Sequence, residues 1–197
     1  MSDDYEPYPR ILLSRSIVVA GQLGCGARLV GRAVCARTGV RYVDVDRRIE
    51  HEEGRALHRI AYEEGPPYIA AAASRILARI VDERPWAVVV LDRAWPEPGG
   101  EASLLADLDV AHLKRDPAFL IAHVVADLRS AHGWVAPELE PEALGTSALL
   151  RLHAKRDPLL RESDIVVEAG SLHAHAVATI LIEALESVAG AEPMPSA

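Results

Sequence analysis

An almost wholly apolar run, Ser16–Ala20 (SIVVA), passes without interruption into GQLGCGARLVG at Gly21–Gly31. A strand covered on both faces reads as such a run. A glycine-rich turn between strand and helix aims backbone N–H groups and the helix dipole at an anion. Four more runs follow: RYVDVD (41–46), WAVVVLD (86–92), Asp109–Leu113 and IVVEA (165–169). Helical patterns separate them. They are expected at 26–38 (stopped by Gly39), 47–53 and 55–64 (broken at Gly54), 66–82 (opened by Pro66 and Pro67), 116–129 and 147–161. A last helix is expected after a Ser171 cap, with Leu172, Ala176, Ile180, Ala184 and Val188 recurring every four residues. The alternation predicts an α/β fold: a five-stranded parallel sheet with helices on both faces.

The 197 residues suit one domain, expected at 14–188, with flexible segments at 1–13 and 189–197. Half the residues are hydrophobic, enough for a sizeable core. Two cysteines, Cys25 and Cys35, exclude a disulfide framework or a four-cysteine zinc site. His173 and His175 stand two apart on a helix and make a poor metal pair. The acidic, non-basic start MSDDYEPYPR lacks the order of a secretory signal, and no run reaches membrane-spanning length, so a cytoplasmic protein is expected, with no membrane partner. A formal charge of −8 argues against a nucleic-acid partner. Of the basic residues only Lys114 and Lys155 are lysines.

That scarcity bears on the glycine loop. The ATP-binding pattern is G-x-x-x-x-G-K-[ST], its lysine reaching the phosphates and its hydroxyl holding Mg2+. The spacing from Gly21 to Gly26 is kept, with Gly24 between, but Ala27 and Arg28 stand where the lysine and hydroxyl belong, and Leu29 follows. Arg28 offers a cation, though a planar guanidinium points differently from the missing lysine. VVVLD ending at Asp92 reads either as the strand-end carboxylate that holds Mg2+ in many P-loop proteins or as a polar residue where a strand meets solvent.

The chain resembles the shikimate kinases over roughly residues 14–188. GQLGCGARLVGRAVCARTG matches that family's phosphate loop and following helix. VDVDRRIEHEEGRALHRIAYEEG matches its Asp-x-Asp strand end and substrate-domain helices, and KRDPLLRESDIVVEAGS its R-x-P-L-Y segment. The resemblance implies a P-loop kinase fold. It makes Asp46 the general base that contacts the shikimate hydroxyl, Asp44 a support for Mg2+, and Arg156 a ligand of the shikimate carboxylate. Gly21, Gly24, Gly26 and Arg28 form the phosphate loop, and Asp44 and Asp92 are the metal candidates. ATP and Mg2+ are implied as cofactors where activity or nucleotide binding is retained.

Other positions depart from the family pattern. Its carboxylate-binding arginine is Ala70 here, the glutamate of the same helix is Ala73, and the glycine triplet after the third strand is Asp92, Arg93 and Ala94. The lid, about 131–146, has APEL (136–139) where the family's phosphate-reaching arginine stands. Losing one preorganised electrostatic contact typically costs roughly 2.7–4 kcal/mol of transition-state stabilisation. Several such losses imply a pseudokinase that acts through a small-molecule ligand or a protein partner. An active small-molecule kinase, with Arg28 and Asp92 as substitutes, is the alternative. A purely structural subunit is a third.

Plainer roles exist for the same residues. Asp44 and Asp46 share a face if the strand continues, or cap a helix ahead of Arg47. Arg156 has Asp157 and Glu162 as nearby carboxylates. Cys25 sits near a helix N-terminus, which lowers a thiol pKa, or simply fills a tight loop.

Overall fold

The computed structural model describes residues 13–96, 108–115, 120, 123–124, 146–161 and 163–188; side chains are described for all of these except 146–150, 155, 158, 159 and 188. Its elements, in chain order, are β1 (Ile17–Gly21), α1 (Ala27–Thr38), β2 (Arg41–Asp44), α2 (Val45–Glu53), α3 (Leu57–Glu64), α4 (Pro66–Asp82), β3 (Ala87–Val90), β4 (Asp109–Arg115), α5 (Thr146–Arg161), β5 (Ile165–Gly170) and α6 (Ala174–Val188). The five strands form one sheet in the order β2-β3-β1-β4-β5, and each neighbouring pair is parallel.

The apolar strand runs are explained by two cores. Ile17 and Val19 of β1, with Val88, Val90, Ala111 and Leu113, face α1 and α6. Val18 and Ala20, with Val43, Ala87 and Val89, face the α2–α4 side, where Ile69, Ile76, Leu77 and Ile80 of α4 pack. Period-two alternation sends successive side chains to opposite faces, so a strand buried on both has no polar position to spare. β5 is an edge strand: Ile165, Val167 and Ala169 point inward while Val166 and Glu168 are exposed. Glu168 pairs with Lys114 at 2.7 Å, which accounts for one of the two lysines.

Several expected boundaries shift. β2 ends at Asp44 instead of running to Asp46, because the Asp44 carboxylate accepts the Arg47 amide at 3.2 Å and turns the chain into α2. β3 is shorter than WAVVVLD, and β4 runs two residues past Leu113. α3 begins at Leu57, whose amide donates to Glu50 Oε1 at 2.9 Å. α6 is not capped by Ser171: it starts at Ala174, and His173 Nδ1 accepts the Ala176 amide at 3.3 Å. The every-four stripe on α6 is also not its buried face. Leu172 and Ile180 are exposed, while Val177, Ala178, Leu181, Ile182 and Leu185 pack inward, the stripe with more bulky aliphatic surface to bury. The helix expected at 116–129 lies outside the described residues except at 120 and 123–124, as does the lid except at 146. Among the described residues no helix is long and apolar enough to cross a membrane.

Candidate functional site

In an open parallel sheet, ligands bind beyond the carboxyl ends of the strands, where the connections diverge. β1 is central here, and the chain leaves its carboxyl end through the glycine loop. Close packing dictates the loop's glycines. A Cβ on Gly21 would lie 2.8 Å from both Cys25 Sγ and the Leu113 carbonyl oxygen. Gly24 has φ +86, and its Cβ would lie 2.8 Å from the Leu120 carbonyl oxygen. The Cys25 amide donates to the Gln22 carbonyl at 2.9 Å, closing the turn. Cys25 itself is buried, and burial pushes its thiol up to about 12. The reading in which the helix terminus activates this thiol is therefore corrected: desolvation outweighs the dipole.

Two side chains fasten the loop to distant elements. Gln22 Nε2 donates to the His153 carbonyl of α5 at 3.1 Å. Arg115, at the end of β4, donates Nε to the Cys25 carbonyl at 3.0 Å and Nη1 to the carbonyls of Ala169, at 3.3 Å, and Leu172. Arg115 escaped the sequence reading; its only signal there was a basic residue in a run that otherwise suits a buried strand.

Ala27 is fully buried at the start of α1. Arg28 turns away from the loop toward the ends of β2 and β3. Its Nε lies 2.7 Å from Asp44 Oδ2, and its Nη2 lies 2.9 Å from Asp46 Oδ2 and 3.5 Å from Asp92 Oδ2. Asp46, in the first turn of α2, is 2% exposed. Its Oδ1 accepts the Ala94 amide at 2.9 Å, and its Oδ2 also accepts the Arg93 amide at 3.3 Å. Asp44 caps α2, with the Tyr42 hydroxyl 3.4 Å from its Oδ2. Four residues singled out in the sequence thus meet at one point. The amides of residues 93 and 94 were missed, because a backbone donor leaves no mark on residue type.

Burial pushes the Asp46 carboxyl up, reinforced by the charge of Asp92 and opposed by the Ala94 amide and Arg28, to about 7. Burial also raises Asp92, against Arg28, Arg93 and Arg156. For Arg28, burial works against the charge, but Asp92, Asp44 and Asp46 outweigh it and hold the guanidinium protonated.

Asp157 binds Arg161 at 2.6 Å and Glu162 lies outside the described residues, so neither is seen to pair with Arg156. Arg156 is buried, donates to the carbonyls of Asp92 at 3.1 Å and Arg93 at 3.3 Å, and lies over the Trp95 ring at 4.7 Å. Trp95 Nε1 in turn donates to the Asp92 carbonyl at 3.2 Å. This arginine braces the turn that presents the two amides to Asp46.

Mg2+ demands near-octahedral oxygen ligands at about 2.0–2.1 Å, usually several waters among them. The oxygens of Asp44, Asp46 and Asp92 instead face a guanidinium, and the hydroxyl ligand is missing. Among the described residues no cluster of three or more His, Cys, Asp or Glu is arranged to hold a metal ion. The site does not fit Mg2+, so the metal role expected of Asp44 and Asp92 has no support in this geometry.

A profile of the shikimate kinase family matches residues 23–186. The shikimate kinase of Halorhodospira halophila is 30% identical over 175 residues, covering 86% of this chain and 93% of its own. That of Nitrobacter winogradskyi is 28% identical over 156 residues, covering 79% and 70%. Among solved structures, a shikimate kinase from Acinetobacter baumannii in complex with shikimate superposes with a TM-score of 0.72 at 21% identity, covering 88% of this chain and 93% of its own. One from Bacteroides thetaiotaomicron gives 0.69 at 16%, covering 87% and 98%. These likenesses bear out the parallel-sheet P-loop kinase fold, and the sequence match extends across nearly all of it: the chain belongs to the shikimate kinase family.

Proposed function

We propose that this chain is a shikimate kinase-like protein impaired in phosphotransfer, working in the cytoplasm by binding a small-molecule ligand or a protein partner. The observation that carries the reading is the state of Asp46. Both its carboxylate oxygens already accept protein donors, from Arg28, Arg93 and Ala94, and the group is buried. A general base must reach the proton it removes. Phosphoryl transfer rests on positioned charge, so the missing lysine and hydroxyl weigh in the same direction.

One observation favours an active ATP-dependent kinase for shikimate or a related hydroxy acid. The Asp46 carboxyl is pushed up to about 7, where a general base works well near neutral pH. Thermal unfolding with ATP, ADP and shikimate, run beside an assay of shikimate phosphorylation, separates the two. Native-state binding raises the melting temperature with ligand concentration. Stabilisation without turnover is expected; turnover well above an Asp46→Ala control overturns the impaired reading and establishes the other.

A further inference from the structure

We infer that the Arg28 guanidinium is a permanently attached counter-cation for Asp44, Asp46 and Asp92, which makes this carboxylate nest independent of divalent metal. The three carboxylates come from the end of β2, the first turn of α2 and the residues after β3, and all direct an oxygen at one guanidinium edge. Asp44 and Asp46 are almost wholly buried. Carboxylates packed this closely in low dielectric require a cation or protons. Arg28 supplies the charge from within the chain, with Nε beside Asp44 and Nη2 shared between Asp46 and Asp92.

The inference goes beyond the proposed function, since it concerns the resident cation and not phosphotransfer. It yields a positive expectation: removing the guanidinium while leaving the carboxylates should open a divalent-ion site. Arg28→Ser leaves a small hydroxyl and a net charge more negative by one. Arg28→Lys keeps a cation in place.

Purified wild type, Arg28→Ser and Arg28→Lys are titrated with Mn2+, and the free ion is read by electron paramagnetic resonance. Wild type and Arg28→Lys are expected to leave the Mn2+ signal unchanged. Arg28→Ser is expected to remove a single ion per chain, released again by excess Mg2+. Circular dichroism checks the fold of each variant. If Arg28→Ser does not fold, the double variant Arg28→Ser/Asp92→Asn, with one charge fewer to neutralise, takes its place with the same expectation. Wild type that binds one Mn2+ per chain and loses it in Asp44→Asn overturns the inference. So does a folded Arg28→Ser, or its folded substitute, that binds none. Turnover by the wild type would defeat the impaired-kinase reading without moving any of these signals, so the two failures are distinguishable.

Discussion

Arg28 of α1 and Asp46 of α2 meet at 2.9 Å, although their places in the family's motifs are those of the Mg2+-holding hydroxyl and the substrate-contacting base. The same guanidinium reaches Asp44 and Asp92, so one side chain ties α1 to the ends of β2 and β3.

Arg28→Ala leaves these carboxylates without their shared cation. Removing one partner of a buried pair typically costs about 3–5 kcal/mol. The low end applies, because the Arg28 side chain stays 24% exposed. Urea unfolding near neutral pH should show a loss of about 3 kcal/mol, shrinking as acid protonates the carboxylates.

Stability should depend on pH through opposed groups, among them Glu83 and Asp46. Arg48 and Arg41 hold Glu83 down to about 2 from 4.5, so its contribution is present above 4.5 and is lost as pH falls through 2. Asp46 is raised from 3.8 to about 7, so between those values the folded chain holds the extra proton and stability falls as pH rises. Asp46→Asn removes that second slope. Its unfolding midpoint should therefore gain on the wild type between pH 3.8 and about 7. Parallel curves would contradict the raised carboxyl. His112 and His153, both lowered by burial, occur in both proteins and largely cancel in the difference.

The loop glycines should separate by mechanism. Gly21→Ala drives a methyl into Cys25 and the Leu113 carbonyl, an overpacking worth about 1–3 kcal/mol. Gly26 has φ +80 with nothing nearer its Cβ position than Arg115 Nη2 at 3.9 Å. Gly26→Ala should cost only left-handed strain, about 1–2 kcal/mol. Thermal unfolding should show both losses, and under native conditions a thiol reagent should reach Cys25 faster in Gly21→Ala than in Gly26→Ala.

How much of this was legible in the sequence follows from where the interactions run. The strands declared themselves, because a parallel strand buried on both faces leaves a continuous apolar run; SIVVA and AVVV are such runs. The loop declared itself through glycine spacing. Arg28 was visible as a cation but not its direction, since Asp44, Asp46 and Asp92 gather around it only through the sheet order. The contacts of Arg156 were hidden for the same reason: carboxylates are its neighbours in sequence, while the carbonyls it binds lie at residues 92 and 93. On α6 two apolar stripes competed, and a four-residue repeat does not say which one meets the sheet.

Arg156 gives a further check on that reading. Arg156→Ala removes charged hydrogen bonds to two carbonyls and the contact with Trp95, a loss of about 1.5–3 kcal/mol. Because the brace positions the amides of residues 93 and 94, the Asp46-dependent part of the pH–stability profile should change with it. Urea unfolding across pH checks both. A variant as stable as the wild type would assign Arg156 a role outside the fold's own support.

Transfer of labelled phosphate from ATP to shikimate, measured with Mg2+ and with chelator for the wild type and for Asp46→Asn, bears on the account most directly. All four samples should match the protein-free background. Mg2+-dependent transfer by the wild type, abolished in Asp46→Asn, would contradict it.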